Sequence, residues 1–222
     1  MKKNKIRKPK IILQFVICIL LPIANCFLPA CLFAQTPGEW TWMHGDNTPN
    51  SLGVFGSQGV PNSSNTPPAL YEASEWKDNN GNFWIFGGLG NNNVEYGALW
   101  KYYPLTNQWT WMKGPSVSQQ PGVYGTQGVP SSANYPGARA MGAPTWADAS
   151  GNLWLFGGRD YDFTVVGLRN DLWKYTISTN EWTWMKGANI VNDPGSYGTK
   201  GVANPANLPP SRYETSCSWI DN

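Results

Sequence analysis

The chain is predicted to be all-β and built from repeats, and three observations carry that expectation. Trp40-Thr41-Trp42-Met43-His44-Gly45 returns as Trp109-Thr110-Trp111-Met112-Lys113-Gly114 and again as Trp182-Thr183-Trp184-Met185-Lys186-Gly187, at spacings of 69 and 73 residues. Between the copies, Phe83-Trp84-Ile85-Phe86-Gly87-Gly88 matches Leu153-Trp154-Leu155-Phe156-Gly157-Gly158, and Leu99-Trp100-Lys101-Tyr102 matches Leu172-Trp173-Lys174-Tyr175. Several landmarks in fixed order mark units that are stable mainly because they pack on their neighbours. Finally, no stretch after residue 34 supports an amphipathic helix, since Gly, Pro and Asn recur too often for three unbroken turns.

The first element is a leader. Lys2, Lys3, Lys5, Arg7, Lys8 and Lys10 form a basic block, and Ile11 to Ala34 is uncharged and mostly apolar. With Leu32-Phe33-Ala34 as the cleavage end before Gln35, residues 1–34 read as a signal peptide and the chain as an exported bacterial protein, secreted or on the cell surface. The apolar run is long enough to cross a bilayer, so a retained anchor is the alternative. Leu28-Pro29-Ala30-Cys31 is a poor lipidation site, because proline beside the cleavage position is awkward. Removing the leader takes six of the 16 basic residues and none of the 14 acidic ones, which leaves ten against 14 and a formal charge of −4. Nucleic acid is therefore not expected as a partner. Of four cysteines only Cys217 lies outside the leader, so the mature chain has no internal disulfide framework.

Short strands follow. Asn82 to Phe86 and Asn152 to Phe156 are aromatic or branched runs between turn signals and a Gly-Gly. Leu99 to Tyr103 and Leu172 to Tyr175 form the next strand, and Gln108 to Met112 and Glu181 to Met185 the last. Trp109 and Trp111, like Trp182 and Trp184, share one face because side chains alternate. An earlier strand ends near Trp76, Trp146 and Trp219. Four antiparallel strands per unit predict propeller blades at 69–114 and 138–187. Residues 35–68 carry a last-type strand at 39–43 and a long loop, 115–137 and 188–211 are further loops, and 212–222 is the first strand of a truncated blade. The array is thus expected to be incomplete, from a fragment of a longer chain that supplies the missing blades.

These landmarks resemble the kelch-repeat family, in its secreted bacterial form with long interblade loops. The family's double glycine, aromatic strand and spaced Trp fall on Gly87, Gly88, Tyr102 and Trp109, and again on Gly157, Gly158, Tyr175 and Trp182. The resemblance covers most of residues 39–222 and implies a kelch-type β-propeller, similar to the central domain of galactose oxidase. Trp84, Trp154, Trp100 and Trp173 are then expected in blade packing, and the glycine pairs at close backbone approaches.

Candidate ligand-facing residues lie in the loops. Gly53-Val54-Phe55-Gly56 recurs as Gly122-Val123-Tyr124-Gly125 and Gly195-Ser196-Tyr197-Gly198, and loops of this length are often functional. Phe55, Tyr124 and Tyr197 are therefore weak ligand candidates, with pinning of each loop to its blade as the structural alternative. Arg139 and Arg212 take equivalent positions, where the first unit has Leu70; the resemblance implies that such an arginine ties adjacent blades, with ligand contact as the other reading.

Catalysis is not expected. The resemblance to copper radical oxidases implies a metal site of histidines, tyrosines and a crosslinked cysteine, whereas this chain has one histidine, His44, replaced by Lys113 and Lys186 in the later copies. No metal or other cofactor is expected. Asp78, Asp148 and Asp221 recur beside Trp76, Trp146 and Trp219, as a turn needed in every blade would require, and not as a single glycosidase pair. The expected function is a non-catalytic, exported binding or scaffold module for a protein or carbohydrate partner. The alternative is a piece of a secreted propeller enzyme whose catalytic residues lie outside this chain.

Overall fold

Aromatic and branched side chains dominate the segments beyond residue 70, and pairing them antiparallel gives each segment one face to bury. The computed structural model describes residues 38–162, 165–214 and 218. The chain divides into two compact units, Met1–Trp42 and Met43–Asn222. Of the first only residues 38–42 are described, and they are irregular. At 39–43, where a last-type strand is expected to complete a blade supplied by the missing part, the described backbone is irregular. The leader expected at 1–34, and most of the strand expected at 212–222, lie outside the described residues.

Among its described residues the second unit is all-β apart from one 3-10 turn at Asn91–Asn93. Its strands are β1 (Ser74–Lys77), β2 (Phe83–Phe86), β3 (Leu99–Tyr103), β4 (Gln108–Lys113), β5 (Arg139–Ala140), β6 (Thr145–Ala147), β7 (Leu153–Asp162), β8 (Val165–Thr176) and β9 (Glu181–Lys186). They make two unclosed antiparallel sheets, β1-β2-β3-β4 and β5-β7-β8-β9, with β6 also paired to β7. Both β5 and β6 lie against β7, so the second sheet is the same meander with its first strand broken. The break falls where Met141 and Gly142 take φ of +60° and +66°. Registers repeat: Trp76 faces Trp84 and Trp146 faces Trp154, while Tyr102 faces Trp109 and Tyr175 faces Trp182.

The central hairpin of the second sheet is longer than the expected 152–156 and 172–175. Beyond the glycine pair, Arg159 to Asp162 keeps pairing with Val165 to Leu168, and the glycines are absorbed as a register shift between Phe156 and Gly158. In the first sheet the corresponding run is Leu89-Gly90-Asn91-Asn92-Asn93, where Asn92 and Asn93 both take positive φ and turn the chain at once.

Each β1–β2-type turn is fixed by one aspartate. Asp78 Oδ1 accepts from the Asn80 and Asn82 amides at 2.9 Å, and its Oδ2 accepts from the Trp84 indole at 2.9 Å. Asp148 repeats this with the Asn152 amide and the Trp154 indole, both at 2.9 Å. A short acid side chain closes the turn and satisfies an indole that packing would otherwise strand.

The sheets stack face to face. Trp84 meets Tyr175 with ring centroids 5.6 Å apart, Phe86 meets Trp182 at the same distance, and the Trp76 indole donates to the Trp154 carbonyl at 3.0 Å. The glycine pair makes the crossing possible: a Cβ on Gly87 would lie 2.1 Å from the Arg139 carbonyl, which accepts from the Gly88 amide at 2.7 Å. The Arg212 carbonyl takes the same place at Gly158, at 3.0 Å.

The long loops cover the outer edge of each sheet. Gly59 donates to the Trp111 carbonyl at 2.8 Å and Asn62 to that of Trp109 at 3.3 Å. Gly128 and Ser131 do the same to Trp184 and Trp182, at 2.8 and 3.4 Å. Edge strands β4 and β9 are thereby blunted against pairing with foreign strands.

Trp182 is wholly buried and Phe83 is 46% exposed. Trp182→Ala is expected to cost about 3–5 kcal/mol and Phe83→Ala under about 1 kcal/mol, read from urea unfolding. A loss below about 1 kcal/mol for Trp182 would contradict the stacking described.

Candidate functional site

Two places concentrate chemistry: a buried charged cluster at the root of the second sheet and an open groove beside it. The cluster is built by β5, β7 and β8. Arg139 on β5 reaches Asp171 on β8 through two bonds of 2.7 and 3.0 Å and donates to the Gly157 carbonyl at 2.9 Å. Asp171 also accepts from the Tyr124 hydroxyl at 2.6 Å and the Trp173 indole at 2.8 Å. Arg169 binds Asp160 at 2.5 Å, and Arg159 binds Glu95 at 3.3 Å. Three arginines thus face three carboxylates.

Burial raises the Asp171 carboxyl, but the Arg139 charge and the surrounding donors outweigh it and hold the group below the ordinary aspartate range. Burial and the Asp171 charge push the Tyr124 phenol well up, so it remains a donor. Asp171 accepts four hydrogen bonds, three on Oδ2 and one on Oδ1, within a wholly buried cluster. The cluster is structural in form.

The first sheet carries an apolar version of the same cluster. Tyr124, Arg139 and Asp171 correspond to Phe55, Leu70 and Ala98. Phe55 packs 4.8 Å from Trp100 and 5.3 Å from Trp111, as Tyr124 packs 4.9 Å from Trp173 and 5.2 Å from Trp184. The Trp100 indole, lacking the aspartate, has no acceptor among the described residues. The polar cluster therefore comes and goes as a set.

The groove, of about 690 Å³, is lined by Trp146, Phe156, Asn170, Leu172, Lys186 and Arg212 among others. Its apolar residues correspond to Trp76, Phe86 and Leu99, which are buried in the first sheet because the second sheet covers them. Here they are only partly buried. Asn170 is held by Asp193 at 3.0 Å and by the Pro209 carbonyl at 2.9 Å.

The structure separates the sequence candidates. Phe55 and Tyr124 are wedged between tryptophans, and Arg139 is buried in the cluster. Tyr197 is 74% exposed. Arg212 is exposed too, its guanidinium 5.9 Å from the Phe156 ring at the groove. Of the structural candidates, Trp84, Trp100, Trp173 and Trp182 are buried, while Trp154 and Trp109 are half-buried. Sequence reasoning missed Asp171 and Asp160. The signal for Asp171 was its replacement by Ala98 in the same unit where Leu70 replaces Arg139; Asp160 sits in the long hairpin, which has no counterpart in the first unit.

No family model matches the chain. It is 28% identical over 116 residues to the Homo sapiens protein described as "Multiple epidermal growth factor-like domains protein 8", a match that takes in 52% of this chain and 4% of that one. Among solved structures, one titled "Structure of YjhT" aligns at 17% identity and a TM-score of 0.39, over 56% of this chain and 39% of that chain. The chain thus spans a small part of the curated relative, and neither similarity places it in a family.

Removing one partner of a buried ion pair strands the other. Asp171→Ala is expected to cost about 3–5 kcal/mol, and the triple change Tyr124→Phe, Arg139→Leu, Asp171→Ala distinctly less, since it installs the first sheet's set. Urea unfolding compares them; a triple variant weaker than the single would refute the equivalence. Because the folded pKa of Asp171 is depressed, the unfolded chain takes up the proton first. Its contribution is full above about pH 4 and is lost as pH falls through the depressed folded value. Acid unfolding of the triple variant should therefore be shallower than that of the parent.

Proposed function

We propose that this chain is a kelch-type β-propeller segment, exported, that serves as a non-catalytic binding or scaffold module for a protein or carbohydrate partner. The observation that carries the reading is the groove on the second sheet, an aromatic concavity with a few placed polar groups. Trp146 and Phe156 offer flat apolar faces, and Lys186, Asn170 and Arg212 supply the polar rim. Stacked sheets behind it give a rigid floor, and Trp146 lies against Trp154 with rings 5.7 Å apart and nearly parallel.

The carboxylates support a binding role over a catalytic one. Asp78 and Asp148 are spent on turn amides and indoles, and Asp171 on Arg139, Tyr124 and Trp173. A general acid or base needs a proton-accepting oxygen turned toward a substrate, and the oxygens of these three already accept hydrogen bonds from the protein. His44 bonds the Ser63 carbonyl through Nε2 at 3.2 Å, a loop-to-loop tie.

Glycan arrays and pull-downs with the full chain test the proposal. Saturable binding to one glycan class or one exported protein, weakened by Trp146→Ala, is expected. Stoichiometric copper uptake in metal analysis, with oxidase turnover, would overturn it.

A further inference from the structure

The aspartate turns of the two sheets share one hydrogen-bond pattern and differ at one reactive side chain. Between β1 and β2 the run is Asp78-Asn79-Asn80-Gly81-Asn82, and between β6 and β7 it is Asp148-Ala149-Ser150-Gly151-Asn152. In each the glycine amide donates to the aspartate carbonyl, at 3.0 Å for Gly81 and 2.8 Å for Gly151. The asparagine amide that follows donates to the aspartate side chain at 2.9 Å in both. The glycines take φ of +81° and +80°, which closes the turn. Before the glycine the two part: Asn80 carries a carboxamide and Ser150 a hydroxyl.

Asn80-Gly81 is the one Asn-Gly step of the sequence. Such a step can convert itself, because the carboxamide carbon and the next backbone nitrogen close a five-membered ring. A side chain on the following residue crowds that attack, and glycine has none. The surroundings are open as well: Asn80 is exposed, and a Cβ on Gly81 would meet nothing within 4 Å. Within the turn Asn80 is held through its backbone amide, 2.9 Å from Asp78 Oδ1. The Gly81 nitrogen is held by its bond to the Asp78 carbonyl, and local opening of a surface turn releases it.

From this we infer that Asn80 is a self-modification site, which deamidates through Gly81 to isoaspartate and aspartate. The Gly81 nitrogen gives its proton to solvent and attacks Asn80 Cγ. The Cγ–Nδ2 bond breaks, Nδ2 leaves as ammonia, and an imide ring joins the two residues. Water then opens the ring, at the main-chain carbonyl to give isoaspartate or at the side-chain carbonyl to give aspartate; nothing is oxidised or reduced. Both products set a second carboxylate beside that of Asp78. Isoaspartate also lengthens the main chain by one methylene, which draws the Gly81 and Asn82 amides away from Asp78. Asp78 Oδ2 holds the Trp84 indole at 2.9 Å, and Trp84 is wholly buried against Tyr175 of the other sheet. Chemistry at an exposed turn thereby reaches the contact between the sheets, while the second turn, with Ser150, stays inert.

The full chain is aged in mildly alkaline buffer, digested at acid pH and mapped by mass spectrometry, with isoaspartate detected by enzymatic methylation. Asn80 is expected to gain the mass difference between an amide and a carboxylic acid, with isoaspartate as the larger product. Asn80→Ser, which installs the residue of the second turn, is expected to keep the fold and lose this product. Ageing is expected to lower the urea midpoint of the parent and to leave that of Asn80→Ser unchanged. Asn80→Asp, which brings the charge without the extra methylene, is expected to lie between the fresh and the aged parent. No conversion at Asn80, conversion at other asparagines ahead of it, or the same isoaspartate yield from Asn80→Ser would each overturn the inference. Conversion at Asn80 with an unchanged urea midpoint would overturn its link to Trp84.

Discussion

Everything in the folded unit depends on one aromatic contact made between sheets. Tyr175 and Trp182 on the second sheet lie over Trp84 and Phe86 on the first, and all four are buried. Neither sheet has a second layer of its own, so neither has a core until the other arrives. Large rings suit this task because each removes much apolar surface at small conformational cost. The tilted and edge-on geometries let rings interlock across a flat interface instead of sliding.

A core made of indoles carries a polar cost, and the chain meets it with local devices. Trp84 and Trp154 give their N–H to the turn aspartates, Trp173 to Asp171, Trp76 to a carbonyl of the other sheet, and Trp184 to the Lys186 carbonyl at 2.9 Å. The two sheets differ in how far this goes. In the first, Phe55, Leu70 and Ala98 leave the Trp100 indole without an acceptor among the described residues; in the second, Asp171, paired with Arg139, accepts from Trp173, while the Trp182 indole has no acceptor among the described residues. Such exchange of a whole buried ion pair for apolar residues is tolerated where removal of one member is not. The repeat therefore contains its own mutational experiment.

The loops belong to the same logic. An outer strand with free carbonyls invites foreign pairing, and each loop answers with two amides and an asparagine at matched spacing. Their recurrence reflects an edge that each sheet exposes.

The sequence alone determined the repeat, the strand positions and the turns, because these arise from side-chain alternation, β-propensity and glycine or asparagine at fixed offsets, all local properties. Phe83 to Phe86 and Leu99 to Tyr103 were legible for that reason. Residues 39–43 carry the strand motif yet are irregular, since a strand forms only against a partner and composition says nothing of partners. The long β7–β8 hairpin was cut short, because a glycine pair that ends one strand is a bulge in another, depending on whether the next residues turn or keep pairing. The candidate residues Phe55, Tyr124, Tyr197, Arg139 and Arg212 looked alike in sequence, and the tertiary structure divided them. Three found a neighbouring strand or carboxylate and became interior; Tyr197 and Arg212 stayed at the surface. Burial is set by what the rest of the fold brings alongside, and distance across sheets, unlike spacing along a strand, is not written in any local pattern.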